Sequence, residues 1–95
     1  MSGYRRPVLI VQIDAFNKSR IQTIIVVPLT TNLRLGQAPG NVEMQPSQTG
    51  LSRVSVANVS QVTVLDKHFL TEWAGELPPK ALQRVDNGLR LVLGL

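Results

Sequence analysis

The chain has 95 residues, no cysteine and a formal net charge of +4 at pH 7. This length suits a single domain over residues 1–95, because a second core would have too little apolar surface to stand alone. Without cysteine the chain forms no disulfide or thiolate metal site, and we expect neither a metal nor another cofactor. The apolar runs are far shorter than the roughly 20 residues of a membrane helix, so we expect an intracellular, cytoplasmic protein.

The positive charge lies mainly in the first part of the chain. Six basic residues precede residue 54: Arg5, Arg6, Lys18, Arg20, Arg34 and Arg53. Only Asp14 and Glu43 oppose them there. Such an asymmetry suits a polyanionic partner, either a nucleic acid or an acidic protein.

Two strands are predicted near the start of the chain. Residues 8–13 follow Pro7 and read as a buried strand, and residues 14–20 read as a polar loop. Residues 21–27 are almost all β-branched, which is typical of a strand. Pro28 has no amide hydrogen, so this strand is expected to end there or to meet a sheet edge.

The middle of the chain alternates short strands with turns. One helical turn is expected at residues 33–35, a short strand at 41–44 and a turn at 46–50. Residues 53–58 and 59–65 alternate apolar and polar side chains, which predicts two further stretches of strand. The phase of this alternation shifts between them, so a bulge or bend is expected near Ala57 and Asn58.

The last third is predicted to contain the principal helix. A turn at residues 66–70 and a short strand at 71–77 precede it. Pro79 suits the first position of a helix over residues 79–93. Its apolar side chains recur every three or four residues and are expected to pack as one stripe: Leu82, Val85, Leu89, Val92 and Leu93. Short antiparallel strands with one amphipathic helix indicate a mainly β (α+β) fold, a small barrel.

Four segments resemble the MazF/PemK toxins of type II toxin–antitoxin systems. Residues 6–12 read RPVLIVQ, and residues 23–31 read TIIVVPLTT. Residues 54–62 read VSVANVSQV and, with LDK at 65–67, form the third segment. The fourth is the ending, with Gly75, Leu77 and the helix that contains Val85-Asp86. These segments resemble the family's signatures, and they occur in the family's order over nearly the whole chain.

This resemblance implies a CcdB/MazF-like fold, an SH3-like barrel of antiparallel strands with a C-terminal helix, in a homodimer. It also implies a metal-independent, sequence-selective endoribonuclease that cuts single-stranded messenger RNA and is neutralised by an antitoxin protein. The 2′-hydroxyl would attack the adjacent phosphate and leave a 2′,3′-cyclic phosphate. The family's usual first strand and acidic loop have no counterpart before Arg5, so we expect an incomplete barrel.

The resemblance also names candidate site residues. Arg6 matches the family's catalytic arginine and Thr30 its catalytic threonine, with Thr31 as the alternative hydroxyl. Weaker candidates for contacts with RNA are the polar and basic residues Arg5, Gln12, Thr31, Asn32, Arg34 and Gln61. For each weaker candidate, an ordinary solvated surface position is the competing interpretation. His68 lies in a predicted turn outside the motifs, and no general acid or base is assigned.

Two other functions remain open at this point. A shortened and catalytically impaired family member would bind only RNA or antitoxin. A toxin of the CcdB type would share the fold and poison DNA gyrase. CcdB-like chains act through a C-terminal Trp-Gly-Ile ending, whereas this chain ends in Leu93-Gly94-Leu95.

Overall fold

The computed structural model describes residues 6–12, 14–72 and 75–95. Its five strands are β1 (Val8–Ile10), β2 (Thr23–Thr30), β3 (Val42–Met44), β4 (Ser55–Ala57) and β5 (Thr63–Asp66). Its α-helices are α1 (Asp14–Asn17), α2 (Pro46–Thr49) and α3 (Pro79–Leu93). Three short 3-10 helices cover Leu33–Gln37, Val59–Gln61 and Lys67–Phe69.

The sheet is organised around β2, the longest strand. β1 pairs with one side of β2, while β5 and β4 share the other side, and β3 pairs with β4. Every pairing is antiparallel. The predicted antiparallel sheet with a C-terminal helix is therefore confirmed. The described strands do not close into a barrel.

Pro28 does not end β2, which corrects the expectation from sequence. The strand continues through Pro28 to Thr30. The carbonyl of Pro28 accepts a hydrogen bond of 2.9 Å from the amide of Asn58. In a strand, the N–H and C=O of one residue point to the same side. The missing donor of Pro28 therefore falls where the partner of β2 changes from β5 to β4. The carbonyl of Asn58 there accepts a hydrogen bond of 3.0 Å from the amide of Gln61 instead.

The predicted bend after β4 is confirmed, but its form differs from the prediction. Val59–Gln61 is a 3-10 helix, so the strand predicted over 59–65 begins only at Thr63. The side chain of Asn41 fixes this corner. Its amide nitrogen donates to the carbonyl of Leu35 at 2.9 Å, and its oxygen accepts from the amide of Val59 at 2.8 Å.

The loop predicted at residues 14–20 and the strand predicted at residues 71–77 both differ from the structure. The loop expected at 14–20 begins with α1, whose last carbonyls receive the ammonium of Lys67. The Nζ atom lies 2.8 Å from the carbonyl oxygen of Asn17 and 3.3 Å from that of Phe16. The strand expected at 71–77 is absent from the described residues 71–72 and 75–77. There Gly75 has a φ of 148°, outside the strand range.

The core lies between the sheet and α3. Its buried centre includes Val27, Met44, Val59 and Val85, all fully buried. The buried stripe of α3 differs from the predicted one, because it runs through Ala81, Val85 and Gly88.

The predicted stripe is only partly buried. Leu89 packs against the core, whereas Leu82 and Leu93 are 40% and 55% exposed. At Gly88 the backbone of α3 lies directly against the carbonyl of Gly40, so close that there is no room for a Cβ atom.

Within the described ranges, α3 and the shorter helices all lack the length and apolarity needed to traverse a bilayer.

Candidate active site

Arg6 and Thr30 lie at the same end of the paired strands β1 and β2. Val8 pairs with Pro28, and the amide of Leu29 donates to the carbonyl of Pro7 at 3.1 Å. Continuing the same antiparallel register by two residues places Arg6 opposite Thr30. Residues opposite one another in such a ladder have Cβ atoms about 5 Å apart. The two strongest candidates from sequence, 24 positions apart in the chain, therefore share one end of the sheet.

The hydroxyl of Thr30 is positioned by the turn that follows it. Its Oγ1 accepts a hydrogen bond of 3.1 Å from the amide of Asn32. Because the oxygen acts here as acceptor, the hydroxyl proton is left to donate to a bound group. Thr30 is half-buried, and Arg6 is exposed. A permanently charged guanidinium beside a hydroxyl donor is a suitable pair for a phosphate.

The next weaker candidates follow Thr30 directly. Thr31 is exposed, and Asn32 caps the 3-10 helix Leu33–Gln37 by accepting from the amide of Arg34 at 3.2 Å. That bond gives Asn32 a local structural role. The side chain of Arg34 is exposed on the same 3-10 helix.

Gln12 and Gln61 lie away from this group. Gln12 is six residues from Arg6 along β1, about 20 Å at the rise of a strand. Its amide donates to the side chain of Asn17 at 3.1 Å. Gln61 lies in the 3-10 helix after β4, on the side of β2 opposite to β1. Arg5 lies outside the described residues.

His68 lies at the far end of β2. Asp66 pairs with Thr23, seven residues before Thr30, so this turn is about 23 Å from Thr30 along the strand. The Asp66 carboxylate accepts from the backbone amide of His68 at 3.1 Å and lies 2.7 Å from its Nδ1. These bonds, the backbone one first, hold the pKa of Asp66 below its ordinary value. The imidazole is therefore not positioned to act at the Arg6–Thr30 end.

A small concavity of about 150 Å³ opens beside the two candidates. Its lining comes from three segments: Pro7, Thr31, Leu51, Ser52, Arg53 and Ser55. Pro7 and Thr31 are the chain neighbours of Arg6 and Thr30. In the sequence, Arg53 is only one of six basic residues before residue 54. Its position beside Thr31 depends on the β2–β4 pairing, which no sequence motif indicates. In the described ranges, no cluster of three or more His, Asp or Glu side chains is arranged to hold a metal.

Comparison with known proteins supports the same family as the sequence motifs. Residues 1–93 match the model of the PemK-like, MazF-like toxins of type II toxin–antitoxin systems. Endoribonuclease MazF2 of Mycobacterium bovis is 45% identical over 91 residues, which cover 96% of this chain and 80% of that protein. Endoribonuclease MazF of Staphylococcus saprophyticus is 36% identical over 93 residues, covering 98% and 77%.

The fold agrees with a solved structure. A mycobacterial endoribonuclease in complex with its cognate antitoxin superposes with a TM-score of 0.82 at 31% identity, covering all of this chain and 87% of that one. These matches favour the MazF-type interpretation over the CcdB-type alternative. The chain thus belongs to the family of PemK-like, MazF-like toxins of type II toxin–antitoxin systems.

Proposed function

We propose that this chain is the toxin of a toxin–antitoxin pair, an endoribonuclease that cleaves single-stranded messenger RNA at selected sequences without a metal. The observation that carries the proposal is the β1–β2 register, which sets Arg6 opposite Thr30 at one end of the sheet. The relatives named as endoribonucleases support it.

The proposed reaction is an internal transfer of the phosphate. The 2′-oxygen of one nucleotide bonds to the adjacent phosphorus, and the bond from phosphorus to the 5′-oxygen breaks. One proton leaves the 2′-hydroxyl and one reaches the 5′-oxygen. The products are a 2′,3′-cyclic phosphate and a free 5′-hydroxyl.

Arg6 and Thr30 supply charge stabilisation and alignment. As the 2′-oxygen attacks, negative charge grows on the two non-bridging oxygens of the phosphate. The fork of Arg6 donates two hydrogen bonds to them, and the hydroxyl of Thr30 donates a third. Proton transfer is not assigned to a residue.

The partners follow from the same proposal. A cognate antitoxin binds the toxin and silences it. The solved mycobacterial endoribonuclease of similar fold is likewise in complex with its cognate antitoxin. The basic surface suits both an acidic protein segment and RNA. Both molecules would meet the chain in the cytoplasm.

A cleavage assay in EDTA tests the function. Purified protein is incubated with a long single-stranded RNA, and the fragment ends are analysed. We expect discrete fragments with 2′,3′-cyclic phosphate and 5′-hydroxyl ends. The rate of cleavage should be the same with and without EDTA. Loss of cleavage in EDTA would contradict the metal-free mechanism. Binding of RNA or antitoxin without any cleavage would favour the catalytically impaired alternative.

We also expect a homodimer. Ile25 and Val64 lie opposite one another in the β2–β5 ladder and are 40% and 56% exposed. A chain of this size gains stability when such side chains are buried against a second copy. Light scattering at micromolar concentration should give twice the mass of the chain. A stable monomer at that concentration would contradict the expectation.

A further inference from the structure

The concavity beside Thr31 is flanked by arginines on both sides of β2. Thr30 pairs with Val56 of β4, and continuing that register by one residue places Thr31 opposite Ser55. Arg6 lies across β2 from this point, at the entrance to β1. Adjacent strands are about 4.8 Å apart, so the backbones on either side of β2 are separated by about 10 Å. The Thr30–Thr31 end of β2 therefore lies between Arg6 and the segment that carries Arg53.

The segment that carries Arg53 is anchored on both sides. The hydroxyl of Ser55, a residue that is only 2% exposed, donates to the carbonyl of Arg53 at 3.2 Å. Thr49 is 8% exposed, and its hydroxyl accepts from the amide of Leu51 at 3.0 Å. Gly50 ends α2 with a φ of 76°, in the left-handed region that favours glycine. Buried hydroxyls thus fix the backbone from which Arg53 projects.

The positive charge of Arg53 at the concavity is not balanced by an acidic residue among those that line it. The guanidinium of Arg53 is exposed and forms no ion pair within the described ranges. A guanidinium on an anchored backbone segment, beside a concavity without carboxylates, favours an anion, and phosphate matches its two-pronged geometry.

We infer that Arg53 binds a second phosphate of the RNA strand, next to the phosphate held by Arg6 and Thr30. The inference rests on the proposed function. Arg53 touches the substrate but not the reacting atoms. It therefore orients the strand across the end of β2 and contributes mainly to binding.

Salt-dependent binding measures this role directly. The probe is a short, labelled single-stranded RNA in which every 2′-hydroxyl is methylated, so that it binds without being cut. Log K falls linearly with log salt, and each lost phosphate contact reduces the magnitude of this slope by about 0.7 for a single strand. We expect Arg53→Gln to lower the slope by that amount and to raise Kd about tenfold at low salt. Arg53→Lys should keep the slope but regain only part of the affinity, because an ammonium lacks the fork.

Arg84→Ala is the charge-matched control. Arg84 is exposed on α3 and lines a different concavity, beside Gly40 and Gly88. Its loss removes the same charge and should leave the slope unchanged. Circular dichroism is used to check that each variant is folded. With cleavable RNA, Arg53→Gln should raise KM more than it lowers kcat, as expected for loss of uniform binding.

The outcomes separate this inference from the proposed function. If the parent chain cleaves RNA and Arg53→Gln binds with the slope and Kd of Arg84→Ala, the inference is overturned while the function stands. If the parent does not cleave but Arg53→Gln lowers the slope, Arg53 still binds phosphate and the proposed cleavage fails. A slope that falls equally in Arg53→Gln and Arg84→Ala reflects general charge and also overturns the inference.

Discussion

Replacing Arg6 with alanine is expected to lower the rate of RNA cleavage by roughly 10²–10³ without unfolding the protein. In the proposed mechanism the guanidinium donates to a phosphate whose charge grows during the reaction, and removal of one such preorganised donor has an effect of that size. Arg6 is exposed at the start of β1, and exposed substitutions typically change stability by about half a kcal/mol or less. The measurement is kcat/KM on single-stranded RNA, with a thermal melt for each variant.

Three further variants make the Arg6 experiment specific. Arg6→Lys should recover only part of the rate, because an ammonium cannot make two parallel hydrogen bonds to the phosphate. Thr30→Ala should lower the cleavage rate less than Arg6→Ala does, since it removes a neutral hydrogen-bond donor. Arg84→Ala removes an arginine of α3 and should cleave at the parent's rate. An Arg6→Ala chain that cuts RNA as fast as the parent would show that the assignment of the site is wrong.

Only those residues of the candidate site that lie in a recognisable motif could be predicted from the sequence. Arg6-Pro7 and the run ending at Thr30 stood out as motifs, and the ladder then placed them opposite one another. Arg53 carried no such signal. Its place beside Thr31 depends on the pairing of β2 with β4, between residues 26 or 28 positions apart. A pairing of this kind is fixed by tertiary contacts and not by local pattern.

The fold shows the same division between local and tertiary causes. The period of α3 and the β-branched run of β2 are local signals, and both elements were predicted correctly. The end of β2 was misjudged because the cost of Pro28 depends on which side of the strand its missing N–H faces. The buried stripe of α3 was misjudged for a similar reason. Periodicity defines an apolar face, but the close contact of Gly88 with Gly40 depends on a segment distant in the sequence.

That close approach leads to a prediction about stability. Alanine is favoured over glycine in a helix by about 1 kcal/mol, so Gly88→Ala in α3 would ordinarily stabilise the protein. Here the added Cβ would collide with the carbonyl oxygen of Gly40, a backbone atom that cannot rotate away. Gly40 itself has a φ of 85°, so its peptide is held in a conformation that few other residues adopt. We therefore expect the opposite sign, a loss of about 2 kcal/mol in the free energy of unfolding.

Urea unfolding at a fixed protein concentration tests this expectation, with an unchanged m-value as the sign that only stability has changed. Gly36→Ala is the matched control. A Cβ there would lie 3.5 Å from Cγ2 of Val56, an ordinary contact, so its effect should stay within about half a kcal/mol. Below its melting temperature, Gly88→Ala should still cleave RNA at the parent's rate, the reverse of Arg6→Ala. A Gly88→Ala chain as stable as the parent would mean that α3 can move away from Gly40, and that the contact does not fix its position on the core.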